Sequence, residues 1–350
     1  MLKIAIVNDM AIAVEALHRA IANYGHDLIW VARTGTEAIQ YCSAQRPDLI
    51  LMDLNMPELD GAEATRQIMQ RSPCAILIVT ASITRNTTKV FEAMGYGALD
   101  VVTTPALGTD DPQAVQILMR KIAISAKLAR HSSASPADAQ MLRTRDRASL
   151  PKQSNLPKLI VIGTSTGGPS ALQQILNQLP SGFEAAIVVI QHIDAQFASG
   201  LVDWLNQSSQ LPVALARDGD RPSAGKVLVA GTNNHLIMRP NQTLRYSHQP
   251  TDSPYRPSVD VFFDSVARHW PQSGIGLLLT GMGRDGARGM ALLKSAGWRT
   301  IAESAESCVV FGMPKAAIEA GTATHVLSLP QIASYLARAA MSPSTLSSKP

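Results

Sequence analysis

The feature that most constrains the fold of this chain is a regular alternation of short apolar runs with stretches of helical periodicity, which occurs twice. The first series has five apolar runs: LKIAIV (2–7), LIWVA (28–32), DLILM (48–52), AILIV (75–79) and LDVV (99–102). The second has six: LIVIG (159–163), AAIVVIQ (185–191), KVLVA (226–230), HLIM (235–238), GIGLLL (274–279) and THVL (324–327). Apolar strands that alternate with helices form parallel sheets covered on both faces. The sequence therefore predicts two α/β units with doubly wound, mainly parallel sheets.

A segment rich in Ser, Ala, Pro and charged residues separates the two series. It runs from His131 to Lys158 and has no apolar periodicity, which is typical of an exposed linker. We therefore predict a first domain over residues 1–125, a linker over 126–157 and a second domain over 158–345.

Charge and composition exclude several classes of function. The net charge is −3 over residues 1–125, +4 over 126–157 and +3 over 158–350, so much of the basic character belongs to the linker. No helix-turn-helix or aromatic platform accompanies it, and we expect no nucleic-acid partner. No apolar run approaches the ~18 residues that span a bilayer. The N-terminus has no signal-peptide pattern, and the three cysteines form no CxxC pair. We expect a cytoplasmic protein that does not insert into membranes.

Polar residues in the first domain follow three of the predicted strands. Asn8 and Asp9 come after the first run, Asp53 and Asn55 after the third, and Thr80 ends the fourth. Each alone is more often a helix cap or a turn residue, but ligands bind at the carboxyl ends of such strands. Oxygens of Asp9, Asp53 and a backbone carbonyl near Asn55 suit Mg²⁺. Asp53 is then the candidate phosphoryl acceptor, with the Thr80 hydroxyl able to bond the group.

The segment LILMDLNMPELDG resembles the phosphoacceptor loop of response-regulator receiver domains, and the likeness covers residues 1–125. It implies a flavodoxin-like fold with five parallel strands, and phosphorylation of Asp53 by a histidine kinase with Mg²⁺ as the cofactor. Three positions depart from the receiver pattern: Asn8 replaces an acid, Thr104 a lysine and Val101 an aromatic residue. The first weakens the metal site and the second removes a cation, so we expect weak phosphorylation.

The strongest catalytic pattern in the second domain is LIVIGTSTGGPSAL, a strand, a glycine-rich turn with Ser165 and a helix. Such a turn presents the serine at a helix N-terminus, where backbone N–H groups point at a developing anion. The spacings GxxxxGK[ST] and GxGxxG are absent, which argues against a phosphate loop. None of the tyrosines is followed by Lys at +4, which argues against a reductase. A purely structural turn stays open on this segment alone.

Two further strands bring candidates for a base and an orienting acid to the same edge of the sheet. His192 ends the run AAIVVIQH, and Asp285 lies in the loop of GLLLTGMGRDGA. A serine nucleophile needs both partners. Gly281 and Gly283 would let backbone amides approach an oxyanion.

The segment GTSTG also matches the GxSxG elbow of α/β-hydrolases, whose order of residues requires Ser165, Asp285 and His325. His325 begins a predicted strand and lies at the wrong end of the sheet. We therefore favour His192 as the base.

Five segments occur in the order found in the catalytic domain of chemotaxis protein-glutamate methylesterases, which the chain resembles over roughly residues 158–330. They are IGTSTGGPSAL, VIQHI, RPSVDVFFDSVA, LTGMGRDGA and SCVVFGMPKAA. The resemblance implies a nucleophile, a general base and an orienting acid at Ser165, His192 and Asp285, with the oxyanion site lined by Thr166, Met282 and Gly283. It also implies the substrates, methyl-esterified glutamates and glutamines on helices of methyl-accepting chemoreceptors, and no cofactor for the esterase.

Two classes of function remain open at this point. The first is a phosphorylation-regulated esterase, and the departures in the first domain favour a pathway other than flagellar chemotaxis. The second is a non-catalytic scaffold that binds receptors without hydrolysing them. The set of Ser165, His192 and Asp285 favours the enzyme, because a scaffold has no need of all three.

Overall fold

The structure is a computed structural model of the chain, and it describes residues 1–81, 83–105, 112–131 and 156–340. The chain forms two compact units, each described by itself below. Residues 132–155 of the predicted linker and 341–345 of the predicted second domain lie outside the described residues. Among the helices that the structure describes, none is both long and apolar enough to cross a lipid bilayer.

In the described part of the first unit, five strands alternate with five helices. The strands are β1 (Lys3–Val7), β2 (Asp27–Ala32), β3 (Leu49–Met52), β4 (Ala75–Thr80) and β5 (Asp100–Thr103). The helices are α1 (Ala11–Asn23), α2 (Gly35–Ala44), α3 (Gly61–Arg71), α4 (Ile83–Gly95) and α5 (Pro112–His131). The strands form one parallel sheet in the order β2-β1-β3-β4-β5, which confirms the predicted five-stranded parallel sheet. Residues 126–131 of the predicted linker belong to α5.

The order of the first sheet determines where its polar residues meet. Strands β1, β3 and β4 are neighbours and are almost wholly buried, because helices cover both faces of the sheet. The backbone N–H of Asp53 donates to the carbonyl of Val7 at 2.9 Å, which holds the end of β3 beside the end of β1. Asp9, Asp53 and Thr80 therefore follow or end neighbouring strands at one edge of the sheet.

The second unit contains nine strands and six helices among its described residues. The strands are β6 (Leu159–Thr164), β7 (Ala186–Gln191), β8 (Val213–Leu215), β9 (Val227–Val229), β10 (His235–Met238), β11 (Leu244–Ser247), β12 (Ile275–Leu278), β13 (Arg299–Glu303) and β14 (His325–Leu327). The helices are α6 (Gly168–Leu176), α7 (Ala195–Ser208), α8 (Val259–His269), α9 (Ala287–Ser295), α10 (Met313–Glu319) and α11 (Leu329–Ala340).

Seven of these strands form a parallel sheet in the order β14-β13-β12-β6-β7-β9-β8, which confirms the α/β prediction for this unit. The chain leaves β6 toward β7 on one side and returns to β12 on the other, so β6 lies at the point where the strand order reverses. Ligands bind in doubly wound sheets at the carboxyl end of this point. Gly163 of β6 pairs with Leu278 and Ile190 of its two neighbours, so the turns after β6, β7 and β12 share one edge.

Two details differ from the sequence prediction. The run HLIM forms β10, which pairs antiparallel with β11 in a separate hairpin and takes no part in the parallel sheet. Strands β8, β11 and β13 were not predicted. The first two are short or polar, and β13 carries a buried threonine and a buried glutamate, Thr300 and Glu303, where an apolar pattern was sought.

Candidate active site

Ser165 lies in the turn between β6 and α6, and backbone hydrogen bonds fix this turn on two sides. The Ser165 N–H donates to the carbonyl of Thr280, which follows β12, at 3.0 Å. The Ser165 carbonyl accepts from the N–H of Gly168 at 2.8 Å and from Nε2 of Gln191, the last residue of β7, at 2.9 Å. The half-buried Ser165 side chain is therefore held at the N-terminus of α6 by both neighbouring strands.

Two glycines let other segments pass close to Ser165. Gly167 has a φ of +78°, and a Cβ there would lie 2.5 Å from the Cβ of Val309. A Cβ on Gly281 would lie 2.7 Å from the Cβ of Ser165. Since real Cβ atoms almost never come so close to another atom, a side chain at either position would move the turn. Gly167 thus leaves room for Val309, and Gly281 leaves room for Ser165.

His192 follows β7 at the same edge of the sheet. Its backbone N–H donates to the carbonyl of Thr164 at 3.0 Å, and its side chain is 10% exposed. Nε2 of the imidazole donates to Oδ2 of Asp285 at 2.8 Å. Within the described part of the chain, the buried Nδ1 has no hydrogen-bond partner. The ring nitrogen that can take a proton is therefore Nδ1, while Asp285 holds the opposite one.

Asp285 is buried and sits against the N-terminus of α8. Besides the bond from His192, its carboxylate accepts from the hydroxyl of Ser258 at 2.9 Å and from the N–H groups of Val259 and Asp260 at 2.7 and 3.0 Å. Burial alone would raise the pKa of Asp285, but the bond and charge of His192 and the two backbone donors outweigh it and hold the pKa below its usual value. The carboxylate is therefore ionised and fixed in one orientation.

Asp260, in the first turn of α8, binds the N-terminus of α9. Its Oδ1 accepts from the N–H groups of Gly286 and Gly289, at 2.9 and 2.7 Å, at the start of α9. Asp285, just before α9, in turn binds the first N–H groups of α8. Each helix N-terminus is thus capped by an aspartate from the other segment, and the loop with Asp285 is held at both ends.

Thr280 connects the serine turn to the segment 307–313. Its hydroxyl donates to the carbonyl of Thr166 at 3.0 Å and accepts from the N–H of Val310 at 2.8 Å. Its N–H donates to Oε2 of Glu303 at 2.8 Å, and its carbonyl accepts from Ser165. Every polar group of this buried threonine is used, so it determines where the turn lies.

Glu303 is fully buried behind Thr280. Burial holds the pKa of Glu303 above its usual value, and the bonds from the N–H of Thr280 and the hydroxyl of Ser307 offset this only in part. Both carboxylate oxygens accept a hydrogen bond, which is what an ionised carboxylate requires in such a place.

The residues expected to line an oxyanion site lie around the serine. Thr166 directly follows Ser165 and is buried, and its carbonyl accepts from Thr280. Met282 and Gly283 follow Gly281, and in the described part of the chain their N–H groups have no acceptor. Gly283 has a φ of +97°, which few other residues adopt. Unused N–H groups in a turn beside a serine can stabilise an oxyanion.

His325, the base of the alternative order, lies elsewhere. It begins β14, the edge strand, which β13 and β12 separate from β6. Its Nδ1 bonds the hydroxyl of Thr324 at 3.1 Å. The structure therefore joins Asp285 to His192 and leaves His325 apart.

In the first unit, Asp53 follows β3 and is 8% exposed. Burial raises the pKa of Asp53 to about 6. This value includes the opposing effect of the N–H groups of Leu54 and Asn55, which lower the pKa, and a smaller upward contribution from the negative charge of Asp9. Thr80 ends β4 and is fully buried. A cation bound at this edge of the sheet would offset the effect of the Asp9 charge on Asp53.

The donor set fits Mg²⁺ with two protein carboxylates. The side chain of Asn8 accepts the N–H of Met10 at 2.8 Å, so its oxygen is engaged in a local turn. In the described ranges, no group of three or more His, Cys, Asp or Glu side chains could hold a metal ion. Since Mg²⁺ is commonly bound by one or two carboxylates together with waters and phosphate, Asp9 and Asp53 meet its needs.

Two of the positions that depart from the receiver pattern, Val101 and Thr104, have buried side-chain atoms. Val101 is buried in β5, and the hydroxyl of Thr104 is buried with no hydrogen-bond partner among the described residues. A cation that sequence reasoning missed lies near the same edge. One terminal nitrogen of Arg33 donates to the carbonyls of Asn8 and Asp9, at 3.4 and 3.2 Å.

Comparison with known proteins agrees with both units. Residues 160–336 match the family described as CheB methylesterase, and residues 4–134 match the response regulator receiver domain. A Pseudomonas fluorescens protein named protein-glutamate methylesterase/protein-glutamine glutaminase 1 is 51% identical over 96% of this chain and 98% of its own length. A similarly named protein of Pseudomonas aeruginosa is 50% identical over 96% of this chain and 99% of its length. The chain belongs to the CheB methylesterase family.

A solved structure of the same family supports the fold of the second unit. The Thermotoga maritima CheB methylesterase catalytic domain is 38% identical, with a TM-score of 0.51, and the match covers 52% of this chain and 98% of that one. The sequence analysis assigned no separate roles to four polar residues of the chain: Ser258, Asp260, Thr280 and Glu303. The first three lie within RPSVDVFF and LTGMG, so the motifs were noticed but their hydrogen bonds were not foreseeable. Glu303 carried no signal.

Proposed function

We propose that this chain hydrolyses glutamate methyl esters on chemoreceptor helices, releasing methanol, and deamidates glutamines on the same helices. The relatives that match over almost the whole chain carry the names of these two activities. The observation that supports the chemistry best is the 2.8 Å bond between His192 and Asp285 beside the turn with Ser165. No finding favours a non-catalytic scaffold.

The first half of the reaction forms an acyl-enzyme. Ser165 Oγ attacks the γ-carbonyl carbon of the ester, and its proton passes to Nδ1 of His192. The N–H groups of Met282 and Gly283, with Thr166 lining the site, stabilise the oxyanion of the tetrahedral intermediate. The intermediate then expels methoxide, which takes the proton from His192 and leaves as methanol.

The second half releases the carboxylate. A water molecule gives a proton to His192 and attacks the acyl carbon, and Ser165 takes that proton back as it leaves. With a glutamine substrate the same steps release ammonia in place of methanol. Asp285 acts throughout by stabilising the imidazolium and holding its orientation, since its carboxylate is kept ionised by the N-terminus of α8.

The first unit serves as the regulatory switch, with Asp53 accepting a phosphoryl group from a histidine kinase. Mg²⁺ at this edge would neutralise charge on the incoming phosphoryl group. We assign its protein ligands to Asp9, Asp53 and the carbonyl of Asn55, and the hydroxyl that bonds the phosphoryl group to Thr80. Since Thr104 supplies no cation, we expect weak stimulation of the esterase.

The proposed division of labour is a receiver over 1–125, a linker over 126–157 and a catalytic domain over 158–345. Its support is the pair of family matches, at 4–134 and 160–336. We place the reaction in the cytoplasm, where a kinase that uses ATP can reach the receiver.

Methanol release from methylated receptor membranes, with and without acetyl phosphate, tests the proposal. We expect basal release that the phosphodonor increases, and no increase for Asp53→Asn. Asp48→Asn is the matched control, because this neighbouring carboxylate precedes β3 at the opposite edge of the sheet. Absence of methanol release in both conditions would refute the esterase, whereas release that ignores the phosphodonor would refute only the switch.

A further inference from the structure

We propose that Tyr255 is a positioning residue for His192, whose ring holds the imidazole in the plane that presents Nδ1 to Ser165. The inference rests on the proposed esterase. It adds a residue that acts on the general base by stacking against the face of its imidazole ring.

The geometry of the two rings carries the inference. The centroids of His192 and Tyr255 are 4.5 Å apart, and the ring planes differ by 5°. The imidazole has one side-chain hydrogen bond, from Nε2 to Asp285, while Nδ1 has no partner in the described part of the chain. A single bond at one atom fixes a point but lets the ring turn about it. A parallel ring against its face removes that rotation.

Tyr255 is itself held in place. Its backbone N–H and carbonyl both bond the hydroxyl of Ser253, at 3.4 and 3.0 Å, and Tyr255 lies four residues before the start of α8. At the other end of the ring, a Cβ on Gly283 would lie 2.3 Å from the tyrosine hydroxyl oxygen. The absence of a side chain at Gly283 is thus what makes room for the ring over the active-site loop.

The ring of Tyr255 also borders a cavity. A cavity of about 620 Å³ is lined by Tyr255, Gly283 and Asp285, but His192 does not line it. The stacked ring restricts the orientation of the imidazole. When His192 takes the proton of Ser165, the positive charge forms against an aromatic face, an arrangement that is attractive. Both effects act in the transition state, so removing the ring should lower kcat with little change in KM.

The test compares Tyr255→Leu and Tyr255→Phe in the full-length chain. Tyr335→Leu is the matched control, because Tyr335 packs against His325 with centroids 5.5 Å apart, away from the site. We measure kcat and KM for methanol release, and the melting temperature. We expect kcat of Tyr255→Leu to fall about tenfold with KM within twofold, and Tyr255→Phe and Tyr335→Leu to stay within twofold of the native chain.

The stacking is also visible without catalysis. In the native protein, the ring protons of His192 should resonate upfield because of the tyrosine ring current, and Tyr255→Phe should keep this shift. Absence of the shift in the native protein, or equal loss of kcat in the Phe and Leu variants, would overturn the inference. So would a Leu variant with native kcat. A native chain that releases no methanol would refute the proposed function instead, and the resonance would still decide the stacking.

Discussion

Replacing Thr280 by valine keeps the shape of the side chain and removes its hydroxyl. The hydroxyl donates to the carbonyl of Thr166 and accepts from the N–H of Val310, in a place that is 1% exposed. Each buried polar group left without a partner costs about 1–3 kcal/mol, so the two together should destabilise the fold by about 2–6 kcal/mol. The same change frees the turn that carries Ser165. A displacement near 1 Å there is enough for a loss of about 10²-fold in rate.

A matched control separates these two effects. Thr300 on β13 is fully buried, and its hydroxyl donates to the carbonyl of Thr322 and accepts from the N–H of Thr324. Thr300→Val removes a similar pair of bonds, and none of them reaches the serine turn, but the N–H of Thr324 keeps its 2.7 Å bond to the carbonyl of Thr300. Urea unfolding should therefore show a smaller loss of stability for Thr300→Val than for Thr280→Val, whereas methanol release should fall about 10²-fold in Thr280→Val alone.

Two results would contradict the role assigned to the Thr280 hydroxyl. If Thr280→Val loses stability in urea unfolding but keeps native kcat, the bonds of Thr280 contribute to stability and do not set the position of Ser165. If neither variant is destabilised, the hydrogen bonds assigned to the two hydroxyls are wrong.

Three further changes test other parts of the account. His192→Ala should abolish methanol release while His325→Ala keeps it within twofold, measured with both variants folded by circular dichroism; the reverse result would favour the α/β-hydrolase order. Asp285→Asn should lower kcat by about 10³-fold, because a neutral amide cannot stabilise the imidazolium, and an unchanged kcat would remove Asp285 from the mechanism. The pKa of Asp53 is raised to about 6, so without metal its burial lowers stability progressively as pH rises from the usual value of 3.8 to about 6, and by a constant amount above that. A shift of one pKa unit corresponds to about 1.4 kcal/mol, and the usual pKa is 3.8. In urea unfolding without metal, Asp53→Asn should therefore be about 3 kcal/mol more stable than the native chain at pH 7 and about equally stable at pH 4. Equal stability of the two proteins at both pH values would contradict the burial argument.

The residues at the strand ends could be predicted from the sequence, because the parallel strands of a sheet all end at the same edge. An apolar run followed by a polar residue puts that residue at the carboxyl edge, which is how Ser165, His192 and Asp53 could be found. The order of the strands then places the residues that follow neighbouring strands next to one another. The same rule separated His192 from His325, which begins a strand.

The supporting contacts were not accessible in this way. Tyr255 and Ser258 lie in an irregular segment before α8, and only the folded chain brings them to His192 and Asp285. A sequence shows which residues can form a hydrogen bond or stack, but a partner 27 or 93 positions away depends on packing between elements. The same limit applies to Glu303. From the sequence, a glutamate in a strand is expected to be exposed, and only the structure shows that the N–H of Thr280 and the hydroxyl of Ser307 bind it in the interior.

The claim at the centre of this account is that the Ser165 hydroxyl is the nucleophile, and one substitution tests it most directly. Ser165→Ala should lose methanol release from methylated receptors by at least about 10³-fold while its circular dichroism stays native. Ser170→Ala, which removes a hydroxyl from the helix that follows the same turn, should stay within twofold. Release by Ser165→Ala within tenfold of the native rate would contradict the account, and loss in Ser170→Ala alone would move the nucleophile to that residue.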